Sequence, residues 1–324
     1  MFIVTGGAGF IGSNLIHGLN QRGYKDILVI DNLHKGEKFI NLTELEFSDY
    51  CDKDDFRKRL ETGDSFGDSI TAVFHQGACS VTTEWDGRYM MRNNFDYSKQ
   101  LLHYCLARNI PFIYASSASV YGHSRISREQ RCYESPLNVY GYSKFLFDQY
   151  VRTVLPRIHS QVVGLRYFNV YGPGEQHKAA MASVIYHLRN QLLASGKLRL
   201  FADYGGYAAG EQRRDFVYVN DAVAVNLWFL EHPGLSGIYN VGSGASRSFN
   251  DLARAVLDYY GNGEIEYIPF PEHLRARYQS FTEANIDALR GVGYSAGFVS
   301  LEQGIRAYFD RLEASSLTSS QNQS

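Results

Sequence analysis

A tyrosine and a lysine stand four residues apart in the segment Tyr140-Gly141-Tyr142-Ser143-Lys144. In an α-helix, positions i and i+4 share one face, so the two side chains can lie together. A phenol with its usual pKa of about 10 is a weak base at neutral pH, and a neighbouring ammonium lowers that pKa by favouring the phenolate. The pair therefore predicts a catalytic base, Tyr140, whose partner Lys144 can also reach the ribose hydroxyls of a cofactor. Taken alone, the same spacing also describes an exposed aromatic–cation pair.

A serine-rich segment, Ser116-Ser117-Ala118-Ser119, leaves an apolar run at 111–116. Ligands of open α/β folds bind at the carboxyl edge of the sheet, where such a segment would lie. The Ser117 hydroxyl can there hydrogen-bond a substrate hydroxyl or the ketone derived from it. Serine is also common in turns for conformational reasons, so the position leaves both readings open.

The segment from Thr5 to Gly12 (Thr-Gly-Gly-Ala-Gly-Phe-Ile-Gly) follows the first apolar run and opens an amphipathic stretch. In a dinucleotide site Gly6 permits the tight turn, Gly9 lets the backbone approach a pyrophosphate, and Gly12 allows close packing of helix and strand. The free N–H groups of the helix N-terminus attract the anion. Because strand, glycines and helix follow one another in this order, the segment predicts a dinucleotide-binding loop.

Asp31 ends the second apolar run, about 20 residues beyond the glycine loop, where an acid usually bonds the 2′-hydroxyl of the adenosine ribose. That position favours NAD. Asn32, Lys35, Lys38 and Lys53 can instead surround the 2′-phosphate of NADP, although lysines of a loop are often simply solvated. The sequence therefore predicts a nicotinamide cofactor and leaves the choice between NAD and NADP open.

Short apolar runs alternate with longer amphipathic stretches in the first half of the 324-residue chain. This alternation predicts an α/β fold with a doubly wound parallel sheet, a Rossmann domain over 1–170. A smaller, interleaved C-terminal substrate lobe is predicted over 171–314, with elements near 215–240 returning to the main sheet. The Ser/Gln-rich stretch 315–324 predicts a disordered tail. The principal predicted elements are strands at Phe2–Thr5, Asp26–Asp31, Ile70–His75, Pro111–Ser116 and Gln161–Phe168, and helices at Phe10–Arg22, Tyr89–Arg108, Tyr140–Leu155, Met181–Ala194 and Leu301–Ala314.

Composition limits the class of protein. Hydrophobic residues make up 44% of the chain, charged residues 20%, and the net charge is −2. Such values are ordinary for a globular domain and argue against a nucleic-acid or membrane-surface partner. The chain shows no apolar run near the ~20 residues of a membrane span and no signal peptide, which predicts a cytoplasmic protein. Its four cysteines form no Cys-x-x-Cys pair, so neither a metal site nor a disulfide framework is predicted.

Together these motifs resemble the extended short-chain dehydrogenase/reductase family of nucleotide-sugar enzymes. The similarity covers nearly the whole chain except the tail. Within the family it is most specific to enzymes that epimerise ADP-heptose, and it is carried by the stretches 79–87 (Cys-Ser-Val-Thr-Thr-Glu-Trp-Asp-Gly), 136–148, 166–178, 213–219 and 267–271.

The resemblance implies an isomerase that converts ADP-D-glycero-β-D-manno-heptose to its L-glycero epimer at C6″, in the synthesis of lipopolysaccharide core precursors. A bound NADP would take a hydride and return it to the other face of a transient ketone, and the family forms homopentamers. The hydroxyl must be deprotonated in two orientations, and one fixed base is well placed for only one of them. Tyr140 serves one, and Lys178 matches the second acid/base of the family. Lys178 then needs a pKa below its usual value of about 10.4, which neighbouring Lys144 and partial burial can provide.

Further ligand contacts are implied by the same resemblance. The implied cofactor contacts are Gly6, Gly9, Phe10, Ile11, Gly12, Asp31, Asn32, Lys38, Lys53, Gln76, Gly77, Ala78, Cys79, Ser80, Asn93, Lys144 and Val170. The implied substrate contacts are Asn169, Ala180, His187, Phe201, Ala202, Asp203, Tyr204, Arg214 and Tyr278. Arg214 suits the substrate diphosphate, with a surface ion pair to Asp215 or Glu211 as the alternative. His187 is equally well explained as a half-buried structural histidine. The stretch 204–212 is longer and richer in Gly and Ala than the family pattern.

Several alternatives stay open. A UDP-hexose 4-epimerase would share the glycine loop, Ser117 and the Tyr140/Lys144 pair without needing Lys178. A catalytically silent NAD(P)-binding module would keep only the fold. A dehydratase is disfavoured, because Ser116-Ser117-Ala118 lacks the Asp-Glu pair associated with those relatives. The sequence also leaves open the oligomeric state, the role of the loop 204–212, and which base serves which epimer.

Overall fold

The structure, a computed structural model, describes residues 1–67, 69–272, 275 and 278–321. Its strands are β1 (Phe2–Thr5), β2 (Ile27–Asp31), β3 (Asp49–Asp52), β4 (Ala72–His75), β5 (Phe112–Ser117), β6 (Val162–Tyr167), β7 (Asn169–Tyr171), β8 (Lys197–Phe201), β9 (Arg213–Arg214), β10 (Phe216–Tyr218), β11 (Gly237–Val241), β12 (Arg247–Ser248) and β13 (Glu264–Ile268). Its α-helices are α1 (Phe10–Gln21), α2 (Lys53–Glu61), α3 (Gly87–Met91), α4 (Tyr97–Ala107), α5 (Val139–Val154), α6 (Val184–Ser195), α7 (Val219–Glu231), α8 (Phe249–Tyr260), α9 (Asp287–Gly291) and α10 (Leu301–Gln321).

Seven strands form one parallel sheet in the order β11-β6-β5-β4-β1-β2-β3. Without β11, this is the 3-2-1-4-5-6 order of dinucleotide-binding folds. The inner strands are apolar almost throughout, because parallel sheets are covered by helices on both faces. In β2, for example, every residue is buried. The prediction of a doubly wound α/β fold is therefore confirmed.

Helices cover the two faces of the sheet in separate layers. On one face α1 packs against α7, with Leu19 and Val223 in a shared apolar cluster. A Cβ on Gly18 would lie 2.7 Å from Cγ1 of Val223, so this glycine allows the two helices to touch. On the other face α2, α4 and α5 bury Leu101 and Phe147 in a second cluster.

The second half of the chain forms a smaller lobe beside the carboxyl edge of the sheet. Here β8 pairs with β13, and α6, α8 and α10 pack around a third apolar cluster that includes Leu188, Val256 and Phe309. Two elements of this half lie elsewhere: α7 packs on α1, and β11 extends the main sheet beside β6. The chain thus passes from the sheet to the lobe and back.

Two elements of the nucleotide-binding half differ from the sequence-based expectation. The single helix predicted over Tyr89–Arg108 is divided, because a π-helical turn at Arg92–Asp96 separates α3 from α4. The strand β3 was not predicted. It is short and only partly buried, with an acidic residue at each end, so its sequence lacks an apolar run.

Two helices of the second half have other bounds than predicted. The helix predicted from Met181 begins at Val184, because the hydroxyl of Ser183 accepts a hydrogen bond from the backbone of Tyr186 and caps it. The last helix continues to Gln321, where the sequence predicts a disordered tail from Ser315. This stretch contains neither glycine nor proline, so nothing in it stops a helix. Residues 322–324 lie outside the described residues.

Candidate active site

The glycine loop lies where the strand order reverses, between β1 and β4. Gly6 has a φ of 68°, and a Cβ there would come within 2.7 Å of the Cα of Gly77 in the loop after β4. A Cβ on Gly12 would lie 2.1 Å from the carbonyl oxygen of Gly6. Helix α1 follows with Gly9 as its uncapped N-terminal residue. The site therefore offers backbone N–H groups to an anion in a crevice that side chains would fill.

The end of β2 lies beside this crevice, and its acid already has partners. One carboxylate oxygen of Asp31 accepts from the backbone N–H of Ala8 at 2.9 Å. The other accepts from the Lys38 ammonium at 2.5 Å and from the backbone N–H of Asn32 at 2.7 Å. Lys38 also lies 3.2 Å from Oδ1 of Asn32. The predicted acid and the predicted basic side chain thus form one cluster, in which the carboxylate is neutralised.

The π-helical turn at 92–96 supplies two asparagines to the site. Asn93 accepts a hydrogen bond from the Lys53 ammonium at 3.0 Å. Asn94 is fully buried; its Oδ1 accepts from the backbone N–H of Cys79 at 2.8 Å, and its Nδ2 donates to the carbonyl of Cys79 and to Oγ of Ser143, both at 3.0 Å. Asn94 therefore anchors the loop 76–80 to helix α5. Sequence reasoning missed it, although π-turns are frequent at functional sites.

Ser117, Tyr140 and Lys144 converge at the carboxyl end of β5. The side chain of Asn138 caps α5 by accepting from the N–H of Gly141 at 2.7 Å, which places Tyr140 in the first turn. The Ser117 hydroxyl lies beside the phenol of Tyr140, where hydrogen bonding from it favours the phenolate and lowers the pKa. The buried Lys144 ammonium donates to the carbonyl oxygen of Ala115 at 2.7 Å. The structure thus brings the three predicted side chains to one strand end.

The electrostatics of this group differ from the expectation. Burial raises the pKa of Tyr140, and the hydrogen bond from Ser117 opposes that shift. Burial also lowers the pKa of Lys144 to about 8. The prediction that the Lys144 ammonium lowers the pKa of Tyr140 is therefore wrong for this structure. The physical reason is that Lys144 is held by a backbone carbonyl, while Ser117 is the group that favours the phenolate.

Lys178 lies in a short 3₁₀ helix, Gln176–Met181, which also contains Ala180. Its ammonium lies 5.3 Å from the ring centroid of Phe10, the first residue of α1. Burial lowers the pKa of Lys178, and the negative charge of Glu175 partly opposes the shift. The lowered pKa is the expected one. Of the two causes that the sequence suggested, partial burial acts on Lys178, and the neighbouring Lys144 does not contribute.

Four aromatic rings pack together in the smaller lobe. The ring of Tyr204 stacks on that of Phe270, with centroids 3.8 Å apart. Tyr278 meets Phe270 edge-on at 5.0 Å and Phe201 at 6.2 Å. Three of the residues that sequence reasoning placed at the substrate therefore share one aromatic surface, and Phe270 is an addition to it.

Arg214 is buried beside these rings, with its guanidinium 4.8 Å from the ring centroid of Tyr278. The alternative of an ion pair with a neighbouring acid does not hold. Asp215 instead accepts from the backbone of Ser243 and two other N–H groups, and Glu211 accepts from Asn250. Burial lowers the pKa of Arg214. A buried cation with no carboxylate partner in the described part of the chain is suited to an anionic ligand.

The remaining predicted contacts are divided between the smaller lobe and the glycine-loop region. Asn169 begins β7 beside Thr282, and Asp203 is exposed. His187 is half-buried on α6, with its ring 6.2 Å from that of Tyr186. The other positions are Val170 in β7, Ala202 just after β8, and Ile11, Gln76, Ala78 and Ser80 in the glycine-loop region.

The loop 204–212 is compact. Tyr204 and Tyr207 exchange backbone hydrogen bonds of 3.0 and 3.1 Å around two glycines with positive φ. The N–H of Gly210 donates to the carbonyl of Phe201 at 2.9 Å. The glycines of this stretch thus form a tight turn that keeps Tyr204 on Phe270, which accounts for the composition that departs from the family pattern.

A buried ionic network connects helix α5 to strand β6. The fully buried Arg166 donates to Asp148 at 2.8 Å, to Glu134 at 2.6 Å and to the hydroxyl of Tyr121 at 3.0 Å. Asp148 also accepts from Tyr114 at 2.9 Å. Sequence reasoning missed this network; the available signal was an arginine near the carboxyl end of the otherwise apolar strand β6.

Within the described residues, no three or more His, Cys, Asp or Glu side chains form a group that could hold a metal ion. None of the described helices has both the length and the apolar content that crossing a bilayer demands.

The fold and this site define a class: a nucleotide-binding protein with a glycine loop and a Ser/Tyr/Lys group at the carboxyl edge of the sheet. Residues 2–242 match the NAD dependent epimerase/dehydratase family, and the chain belongs to that family. The ADP-L-glycero-D-manno-heptose-6-epimerase of Alkalilimnicola ehrlichii is 60% identical over 310 residues, which cover 96% of this chain and 97% of that protein. The resemblance found from the sequence motifs is thereby confirmed.

Solved structures agree on the fold and differ in activity. The ADP-L-glycero-D-manno-heptose-6-epimerase of Helicobacter pylori is 31% identical with a TM-score of 0.80, covering 97% of this chain and 96% of that chain. The UDP-N-acetylglucosamine 4-epimerase of Methanobrevibacter ruminantium, in complex with UDP-N-acetylmuramic acid, is 26% identical with a TM-score of 0.83, covering 97% and 98%. Since the hexose enzyme superposes at least as well, backbone similarity does not separate the two activities, and sequence identity carries the distinction.

Proposed function

We propose that this protein epimerises ADP-D-glycero-β-D-manno-heptose to ADP-L-glycero-β-D-manno-heptose at C6″, in the synthesis of lipopolysaccharide core precursors. Identity of 60% along almost the whole chain to an enzyme named for this reaction supports the substrate. The structural observation that carries the proposal is a second amine, Lys178, with a pKa lowered by burial, on a different element from Tyr140. A one-base hexose 4-epimerase does not need it. The cytoplasmic location and the homopentamer implied by the resemblance are part of the proposal.

The crevice beside the glycine loop fits a nicotinamide cofactor, and we propose NADP. The fit rests on the uncapped start of α1 and on the space that Gly6 and Gly12 keep open. Because the Asp31 carboxylate is paired with Lys38 and accepts from the backbone N–H groups of Ala8 and Asn32, most of its acceptor capacity is used and its charge is offset. Lys38 and Lys53 then provide positive charge for a 2′-phosphate. When bound, the cofactor supplies hydride acceptance and hydride return at C6″. Mass measurement of the nucleotide released by denaturation separates NAD from NADP.

The residues of the chain then divide the proton chemistry. In its phenolate form, which Ser117 favours, Tyr140 takes the proton of the C6″ hydroxyl in one orientation, while the C–H bond breaks and a ketone forms. The Ser117 hydroxyl hydrogen-bonds both the sugar oxygen and the phenolate, which stabilises the charge on each. After the ketone has rotated to expose its other face, Lys178 donates a proton to the ketone oxygen as the C–H bond re-forms on that face. In the reverse direction the two bases exchange roles.

Arg214 and the aromatic rings hold the part of the substrate that does not react. The guanidinium of Arg214 suits the diphosphate, since it is buried and has no acid partner among the described residues. With the ADP held by Arg214 and by the surface of Phe201, Tyr204 and Tyr278, rotation is confined to the sugar side chain. With the ADP fixed in this way, rotation of the sugar side chain can expose either face of C6″ to the cofactor in the same site.

The direct test is turnover of both ADP-heptose epimers, with UDP-galactose as the competing substrate. We expect interconversion of the ADP-heptoses only. In the same assay, deuterium at C6″ should stay in the sugar, because the hydride is held in a closed site between the two half-reactions. Wash-out of deuterium into solvent would contradict internal hydride return. A protein that retained a nucleotide cofactor and turned over no sugar nucleotide would instead be a binding module.

Replacing the second base should stop the reaction without unfolding the protein. We expect Lys178→Met to lower kcat by about 10²–10³-fold, the usual contribution of a positioned acid/base group. The melting temperature and the bound cofactor should not change, because the methylene stem is kept on Phe10 and only a poorly solvated charge is removed. Lys25→Met is the matched control, since Lys25 is exposed and pairs with Glu46 at the opposite end of the sheet. Turnover near that of the unsubstituted enzyme would exclude Lys178 as a base.

A further inference from the structure

The position of Lys178 depends on the segment that carries it. In the described part of the chain its ammonium forms no ion pair, and it lies against the ring of Phe10. The short helix 176–181 contains a kink at Ala179, which has a φ of 48°. Because this helix is short and irregular, the position of the Lys178 side chain depends on the contacts that fix the neighbouring backbone.

One amide side chain holds that backbone. Nδ2 of Asn41 lies 3.1 Å from the carbonyl oxygen of Ala8 in the glycine loop and 3.0 Å from the carbonyl oxygen of Gly174. It also lies 3.2 Å from Nδ1 of His177, the residue before Lys178. These partners are 33, 133 and 136 residues away along the chain. Asn41 therefore links the glycine loop to the segment of the second base.

The chemistry of His177 suits this link. Its ring is half-buried, and burial together with the charges of Lys38 and Lys178 lowers its pKa to about 4. The imidazole is therefore uncharged at neutral pH and can serve as a hydrogen-bond partner. A cationic ring at this position would repel the neighbouring ammonium.

A second asparagine shows what Asn41 adds. Nδ2 of Asn14 donates to the carbonyl oxygens of Phe10 and Pro173, both at 2.8 Å. Asn14 thus fixes the beginning of the segment to helix α1. Asn41 fixes the following residues, up to the one that precedes Lys178. The N–H of Lys178 itself donates to the carbonyl of Glu175 at 2.9 Å, within the same segment. Asn41 adds the contact that ties the residue before Lys178 to the glycine loop.

We propose that Asn41 is a positioning residue that acts through Lys178, holding its amine in register with the glycine loop and hence with the cofactor. The inference rests on the proposed function, since it assumes that Lys178 is a base. It assigns a role in catalysis to a residue of the 3₁₀ segment Gly36–Leu42, which touches the backbone of the site and not the reacting atoms.

The test is a double-mutant comparison on the full chain with ADP-heptose. We expect Asn41→Ala to lower kcat about 10-fold, with KM changed less than about two-fold, because a small displacement of a base slows the chemical step. In a Lys178→Met background the same substitution should change the residual rate by less than about two-fold, since its target is gone. Asn41→Gln, which keeps the amide donor, should recover most of the rate. The cofactor retained after purification, measured by mass, should equal that of the unsubstituted protein.

The control is Asn20→Ala. Asn20 also bridges two carbonyl oxygens, those of Tyr24 and Glu46 at 2.9 and 2.7 Å, but at the end of the sheet away from the site. Equal losses in both backgrounds, lost cofactor, or no loss in the unsubstituted enzyme would each overturn the inference. If Asn41→Ala does not fold, Asn41→Ser is compared in the same two backgrounds. Failure of the proposed function looks different, because the unsubstituted protein would then not interconvert the epimers.

Discussion

Tyr140→Phe should lower epimerisation by about 10³-fold while leaving the cofactor bound and the melting temperature unchanged. The substitution removes only the hydroxyl that Ser117 contacts. The ring keeps its place in the first turn of α5, and Lys144 keeps its bond to the carbonyl of Ala115. Without the phenolate, one orientation of the C6″ hydroxyl has no base. Since every turnover passes through both orientations, the whole reaction stops in either direction.

The matched control for this substitution lies two residues further along the same helix. Tyr142 is 46% exposed, so Tyr142→Phe removes a hydroxyl from the solvent side and should leave kcat within about two-fold. Both variants are assayed by the conversion of either ADP-heptose epimer and by the mass of the released nucleotide. Near-normal turnover in Tyr140→Phe would show that another group is the first base. Loss of the cofactor together with the activity would assign Tyr140 to binding instead.

Arg166→Leu should destabilise the protein by about 3–5 kcal/mol, the cost of leaving buried charges without their partner. Asp148 and Glu134 would both lose the guanidinium that now lies 2.8 and 2.6 Å from their oxygens. Although burial by itself raises the pKa of Glu134, the bonds from Arg152 and Arg166 lower it. In Arg166→Leu, Arg152 would still bond Glu134. The leucine itself could replace none of the hydrogen bonds that Arg166 donates.

Urea unfolding measures this effect through the midpoint of the transition, compared at equal slopes. Arg22→Leu is the control, because Arg22 forms an exposed pair with Glu231 at 3.1 Å and should cost no more than about 1 kcal/mol. A midpoint for Arg166→Leu that matched the control would mean that the buried network contributes little to stability. We also expect a smaller effect on activity. Helix α5 contains both Tyr140 and Asp148, so turnover should fall when the network that holds Asp148 is broken.

Much of the fold could be predicted from the sequence because its determinants are local. Buried parallel strands are read from short apolar runs, and the glycine loop from a spacing that a dinucleotide requires. Strand β3 was not predicted, because its partly exposed residues between two aspartates show no apolar pattern. The π-turn at 92–96 escaped because one extra residue in a helix shifts the face of later residues without changing composition.

The site could be predicted as a set of residues, but not as a set of contacts. Ser117, Tyr140 and Lys178 stand out by type and motif. Which group acts on Tyr140 depends on atomic distances, and Lys144 turns to a backbone carbonyl that no motif marks. Asn41 contacts residues of distant segments, so nothing near it in the sequence shows its role. Arg166 is marked only as a charge in an apolar strand, which does not reveal its partners.

The path of the chain has a consequence for its synthesis. The sheet acquires its edge strand β11, and α1 its neighbour α7, only when residues 219–241 have been made. A nascent polypeptide that has emerged as far as residue 170 therefore presents the bare hydrogen-bonding edge of β6 and the uncovered apolar side of α1. Such edges invite association with other chains. We expect ribosome-bound intermediates of this length to need chaperone protection, and a gene truncated there to yield insoluble product rather than a minimal nucleotide-binding unit.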